Sequence, residues 1–311
     1  MDLLSILNNQ IIFFATTLLV GFLSVKSGFI TSENVDSLSK IMLRIIVPFL
    51  VLTLVGSSGT REELLSMLPF FGGAFIMFAV LIAVAAVSAK LLGYKKPLAN
   101  VHTCSSTFVN SALLGYPIVI TMFPEESGLA IATFLVAETI IMWTVGVAIL
   151  SAGSGKGKID LKKMITPVTV SLVIALCMLM LDIHPKGIVW DSLYGIGATN
   201  KYLGLIYIGA DIGRRGFKKL FERPKVFFVS PFKLIISPLL VFLILRGLNF
   251  LSYNHVMILT IFSMLPSMMI ITMLSQEYNC VPEYASAALL STTIISLATM
   301  PFVFWLVTTV L

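Results

Sequence analysis

Apolar residues run through this chain in long blocks with little alternation, interrupted at intervals by short polar stretches rich in Gly, Pro, Ser and Lys. Blocks of roughly 20 apolar residues are what a helix needs to cross a bilayer. The pattern predicts ten, at about 6 to 29, 37 to 56, 66 to 92, 97 to 123, 128 to 151, 164 to 183, 190 to 212, 226 to 247, 255 to 276 and 284 to 310. The interruptions carry turn chemistry, as in Gly56-Ser-Ser-Gly-Thr-Arg, Tyr94-Lys-Lys-Pro, Phe123-Pro-Glu-Glu-Ser-Gly, Gly153-Ser-Gly-Lys-Gly-Lys and His184-Pro-Lys-Gly. None is long enough for a soluble domain. The pattern therefore predicts an all-α integral membrane protein.

Composition agrees. The apolar fraction is 58% and the charged fraction 12%, against about 45–50% and about 25% in soluble domains. The start, Met1-Asp-Leu-Leu-Ser, lacks a basic n-region, so the first apolar run is expected to be retained rather than cleaved. The three cysteines, Cys104, Cys177 and Cys280, form no CxxC pair and read as reduced, buried, inert thiols.

Charge changes the picture by fixing an orientation, because Lys and Arg in short loops stay in the cytoplasm. With the N-terminus outside, the inner loops hold Lys26, Lys40, Lys90, Lys95, Lys96, the lysines from Lys156 to Lys163, and the basic run from Arg214 to Lys225. The outer loops hold Arg61, Lys186 and Arg246. An even number of spans returns the C-terminus to the outside, at the cell membrane. The net charge of +6 is thereby a statement about topology and gives no support to a nucleic-acid partner.

Two five-segment halves, 1–152 and 164–311, joined by a short cytoplasmic loop at 153–163, would then lie in opposite orientations, the geometry of an inverted repeat. Gly115 and Pro117 in the fourth segment have a counterpart in Ser263-Met-Leu-Pro-Ser267 of the ninth. Lys40 stands eight residues before Pro48 as Lys201 stands eight before Gly209.

Candidate chemistry sits where apolar segments are broken. In Phe108-Val-Asn-Ser-Ala-Leu-Leu-Gly-Tyr-Pro-Ile118, the residues Asn110, Ser111, Gly115 and Pro117 fall inside a stretch of transmembrane length. A broken helix survives at bilayer depth only where protein buries it or a cavity meets it, and transporters place binding sites at such breaks. Half-helix N-termini there offer unpaired N–H groups and positive dipole ends that suit a carboxylate. Asn110 and Ser111 can add side-chain donors, with Ser263 and Ser267 in the same role from the other half. Pro117 and Pro266 enforce the breaks, and Gly115 permits close backbone approach. The plain alternative is that all of these are packing and kink residues, since Gly and Pro are common in membrane helices.

Charged residues inside segments are site hypotheses by default. Glu138, about eleven residues into the fifth segment, is the deepest acid and a candidate to carry a proton or cation; the alternative is a structural Glu paired with Arg44 or a backbone group. Asp211 and Lys233, at similar depth, are expected to form an ion pair, with a coupling or gating role as the sharper possibility. Arg44 is expected to snorkel to the interface. Asp182 and His184 read as solvated outer-loop residues, and His102 as a helix-end residue.

These residues resemble a known family. Asn110-Ser-Ala-Leu-Leu-Gly-Tyr-Pro-Ile is similar to the Asn-x-x-x-x-Gly-x-Pro signature in the fourth helix of the auxin efflux carrier (PIN-like) family. The likeness continues in Val47-Pro48, Leu265-Pro266 and Ser275-Gln-Glu-Tyr-Asn-Cys-Val-Pro282. With only 153–163 in place of the plant carriers' long central loop, the chain looks like a compact prokaryotic member, similar to the malate and malonate permeases. The resemblance implies a ten-helix fold of scaffold and transport domain, of the sodium/proton antiporter or bile-acid symporter type, working as an elevator with unwound, crossing helices 4 and 9. It also implies that the position of Glu138, followed by Trp143, corresponds to a Gln that faces substrate in the plant proteins; Glu here departs from that pattern.

No P-loop, HExxH, Gly-x-Ser-x-Gly elbow or metal-spaced His/Cys cluster occurs, so neither an enzyme nor a cofactor or metal is expected. The expected function is a secondary transporter moving small organic anions, carboxylates foremost, by alternating access, with a proton or sodium as coupling ion. An uncoupled uniporter and a ligand-sensing receptor on a transporter scaffold are the alternatives, and a homodimer stays open.

Overall fold

The computed structural model describes residues 3–154, 165–216 and 224–310. The lysines from Lys156 to Lys163, central to the expected inner loop, lie outside the described residues. The regular elements among the described residues are helices: α1 (Leu3–Lys26), α2 (Ser32–Gly56) and α3 (Arg61–Leu91), α4 (Leu98–Thr107), α5 (Ser111–Met122) and α6 (Ser127–Ala152). There follow α7 (Pro167–Met180), α8 (Ile188–Ala198), α9 (Asn200–Arg215), α10 (Val226–Leu248), α11 (Tyr253–Met264), α12 (Met269–Glu277) and α13 (Pro282–Thr309).

Six of these, α1, α2, α3, α6, α10 and α13, are long and apolar enough to cross a membrane. Their outward faces carry large apolar side chains such as Leu19, Leu68, Val87, Leu243 and Phe302. Water would penalise such a surface and lipid would not. The chain is an integral membrane helical protein.

The fourth and ninth apolar segments are each two helices, as their proline and polar residues predict, interrupted at 108–110 and 265–268. The seventh was expected to be one helix and is two, α8 and α9, meeting at Thr199. At the interruption the Thr199 hydroxyl donates to the Ile196 carbonyl, and the side-chain amide of Asn200 donates to the Ala112 carbonyl at 2.9 Å.

Unpredicted π-turns occur at Met42–Ile46, Ser111–Gly115, Met142–Gly146 and Phe232–Ile236. Three stand immediately before an X-Pro pair, namely Val47-Pro48, Tyr116-Pro117 and Ser237-Pro238. A proline ring clashes with the carbonyl four residues back and supplies no N–H. Widening the turn by one residue relieves that clash. The N–H groups of Val47 and Ser237 accordingly reach back five residues, to the carbonyls of Met42 and Phe232.

Contacts divide the chain into two compact units. The first comprises 1–68, 112–135 and 162–217. In it α1 runs along α9, and α2 lies against α7 and α8. Glycines set these approaches: a Cβ on Gly209 would lie 2.0 Å from the Leu18 carbonyl oxygen, and one on Gly21 would lie 2.1 Å from that of Ile206. Small residues of this kind let membrane helices touch backbone to backbone.

The second unit comprises 69–111, 136–161 and 218–311. Here α11 lies against α10, α12 against α13, and α4 against the second half of α6 and against α13. The Phe108 ring fills the space where a side chain at Gly146 would stand.

Candidate functional site

The site is built inside the second unit, where the chain leaves α4. At Phe108 the backbone turns extended, and Val109 pairs with Ser267 in an isolated antiparallel bridge. The N–H of Asn110 donates to the Pro266 carbonyl at 2.9 Å, and the N–H of Met268 donates to the Phe108 carbonyl at 3.1 Å. Each interruption thus satisfies the backbone groups that the other frees. This is the condition for unwound backbone at membrane depth.

A residue at each interruption reaches a long neighbouring helix. The Ser111 hydroxyl donates to Oε2 of Glu138 at 2.7 Å, and the Ser267 N–H donates to Oγ1 of Thr292 at 3.0 Å. Glu138 is 1% exposed, and its second oxygen, Oε1, has no partner among the described residues. Arg44, the alternative partner, is exposed on its own π-turn; among the described residues the carboxylate is held by the Ser111 hydroxyl.

Lys233 is fully buried. Its ammonium donates to the Ser106 carbonyl at 2.8 Å and to the Phe108 carbonyl at 3.2 Å. These oxygens lie at the C-terminal end of α4, where a helix leaves carbonyls unpaired and presents its negative pole. A cation there answers both needs. Lys233 and Glu138 also attract each other electrostatically.

The expected Asp211–Lys233 pair is replaced. In the first unit, Asp211 accepts from Arg214 at 2.6 Å and from Arg215 at 2.6 Å, and Arg214 also contacts Asp36. Partners three and four residues along the same helix need no long-range folding to meet, which is why they take the carboxylate.

Other predicted residues are placed as follows. Asn110 is 5% exposed, and its side chain makes no hydrogen bond with a described residue. The Ser267 hydroxyl donates to the Ser105 carbonyl at 2.5 Å, and that of Ser263 to Thr260 of its own helix at 2.6 Å, so both are occupied by backbone. Gly115 closes the π-turn after Ser111, and Pro117 sits in the first turn of the α-helix that follows, where a proline is tolerated. Pro266 lends its carbonyl to Asn110. The hydroxyls of Ser105, Ser106 and Thr107 are buried without partners among the described residues. Sequence reasoning passed over these three, although a Ser-Ser-Thr run just before a helix break was the available signal.

Two further expectations are corrected. His102 is no helix-end residue: it is fully buried, with Nε2 2.7 Å from the Ser88 hydroxyl and Nδ1 2.7 Å from that of Tyr284. Because Ser88 already donates to the Ala85 carbonyl, the ring donates through Nε2 and accepts at Nδ1. Cys177 is exposed, whereas Cys104 and Cys280 are buried. Asp182 and His184 are exposed as expected, with Asp182 accepting from the Arg61 N–H at 3.3 Å.

The second unit thus holds two interrupted apolar helices joined by their own backbone, with a buried acid and a buried amine beside them. The chain belongs to the membrane transport protein family, that of the auxin efflux carriers, whose profile matches residues 7–304. It is a family of transporters and not of enzymes. The chain is also similar to an uncharacterized transporter of Methanothermobacter thermautotrophicus, 24% identical over an alignment of 293 residues that covers 91% of this chain and 92% of that one.

Proposed function

We propose that this membrane transporter is a secondary carrier of small organic anions, carboxylates foremost, that works by alternating access. The observation that carries this reading is the occupation of the α4 C-terminus by Lys233. A broken helix offers a negative end and a positive end side by side. With a built-in ammonium on the negative end, what remains for a ligand is a positive dipole end, that at Ser111 where α5 begins or that of α12. The latter has no side-chain cap at Met268. That arrangement favours an anion.

Asn110, whose amide bonds no described residue, is the direct donor to the substrate, and Ser111 acts by holding Glu138 beside it. Glu138, with one oxygen bonded and one open, is the group that carries a coupling proton. Gly115, Pro117 and Pro266 shape the breaks. Ser263 and Ser267 act through the backbone they hold and not as donors to the ligand.

The proposed frame is ten spans in two inverted five-span repeats, with both termini outside. The contacts of the Ser111 hydroxyl with Glu138 and of the Ser267 N–H with Thr292, each joining a residue at a break to a long helix 27 or 25 positions further on, support such a repeat. Flux into proteoliposomes, measured for a panel of mono- and dicarboxylates with imposed pH and sodium gradients, tests the function. Uptake of at least one carboxylate, driven by a pH gradient and indifferent to sodium, is expected. No carboxylate flux under any gradient would overturn it.

A further inference from the structure

A groove lies on the surface of the second unit, away from the helix breaks. It has a volume of about 500 Å³ and is lined by Lys96 and Asn100 at one end and by Thr144, Val145, Ala148, Ile149 and Ala152 along the second half of α6. The α6 residues recur at helical spacing and form one stripe. Val145 is 40% exposed, and Thr144, Ala148 and Ala152 are exposed beside it.

The wall is fixed, because the buried Asn100 amide donates to the Ile149 carbonyl at 2.6 Å. The Thr144 hydroxyl is turned into its own helix, onto the Ile140 carbonyl at 2.6 Å, so the groove floor offers hydrocarbon. From Ala152 to Thr144 the stripe runs about 12 Å at 1.5 Å per residue. That is most of the roughly 15 Å depth of one bilayer leaflet. Small side chains at Ala148 and Ala152 leave the hollow, and Lys96, exposed between α3 and α4, lines it.

We propose that this groove is a binding site for an anionic phospholipid, with one acyl chain along the α6 stripe and the phosphate on Lys96. The surroundings of a spanning helix are lipid, which supplies the apolar occupant. A lysine at the interface contributes about 1 kcal/mol per charge toward an acidic headgroup, which selects among lipids.

The test is native mass spectrometry of the full chain, released from detergent with phosphatidylglycerol or phosphatidylcholine added. Wild type should retain one phosphatidylglycerol in preference to phosphatidylcholine. Lys96→Gln should reduce that preference about fivefold, the equivalent of one surface charge. Lys95→Gln, a neighbouring lysine outside the groove lining, should leave it nearly unchanged. Ala148→Trp, at an exposed position, should displace both lipids by filling the hollow, with Val145→Trp as the second variant should the first fold poorly. Equal retention of the two lipids by wild type, equal effects of Lys95→Gln and Lys96→Gln, or retention unaffected by both tryptophans would overturn the proposal. So would a dimer lost on Ala148→Trp, which would make a second copy of the chain the occupant.

Discussion

The Ser111 hydroxyl donates to one oxygen of Glu138 at 2.7 Å, and the other oxygen of that buried carboxylate meets no described partner. A serine placed by a helix break thus holds an acid from another segment with half of its bonding capacity open. If Glu138 carries the coupling proton, Glu138→Gln should preserve substrate exchange while abolishing accumulation driven by a pH gradient. Counterflow and gradient-driven uptake in the same proteoliposomes separate the two. Accumulation that still follows the pH gradient would return Glu138 to a structural role.

Lys233 and Glu138 are expected to depend on each other. Lys233→Met takes the side-chain donor from the Ser106 carbonyl and removes the cation that attracts the buried Glu138 carboxyl, so the variant should be less stable than wild type. Adding Glu138→Gln removes the stranded charge, so the double variant should recover part of the loss. Unfolding in mixed micelles across the four proteins should show a coupling of about 0.5–3 kcal/mol. Strict additivity would mean that the amine serves the carbonyls alone.

Parts of this site were legible in the sequence and parts were not. The breaks at Asn110 and Pro266 were, because proline and polar residues inside an apolar block have few other uses. The π-turns before Pro48, Pro117 and Pro238 were latent in the same prolines. Lys233 was not, since its partners are the backbone carbonyls of Ser106 and Phe108, more than a hundred positions away, and a carbonyl carries no residue signature. Asp211 was misread by looking across segments when Arg214 and Arg215 stood one turn away on its own helix. His102 was misplaced because its position near a segment start said nothing of Ser88 and Tyr284, which come to it from elsewhere in the chain.

Backbone contact between α1 and α9 predicts a sharp dependence on one glycine. Gly209→Ala would set a methyl 2.0 Å from the Leu18 carbonyl oxygen, and neither backbone can yield without separating the helices. Destabilisation of about 1–3 kcal/mol is expected, as for overpacking elsewhere. Gly195→Ala, where the added carbon meets nothing within 4 Å, is the control and should be neutral or mildly stabilising. Thermal melts in detergent that rank the two the other way would contradict the close approach.

Orientation follows from the basic residues and can be checked by labelling in a Cys177→Ser background, since Cys177 is exposed. Glu125→Cys replaces an exposed side chain in an expected outer loop, a better choice than Ser127, which is 2% exposed. Lys95→Cys tests an expected inner loop. A membrane-impermeant maleimide should reach position 125 and not position 95 in intact cells. The reverse pattern would invert the proposed topology.

The central claim is that an anion binds at the paired helix breaks, with Asn110 as a direct donor. Asn110→Ala removes that donor without removing any hydrogen bond among the described residues, so the protein should fold and remain monodisperse. A hydrogen bond to a charged group contributes about 1.5–3 kcal/mol, which corresponds to an apparent affinity weaker by roughly ten- to a hundredfold. The direct measurement is the Kd of the transported carboxylate for purified wild type and Asn110→Ala. A loss in that range is expected, and an unchanged Kd would place the substrate elsewhere and leave the Asn-to-Pro segment as packing.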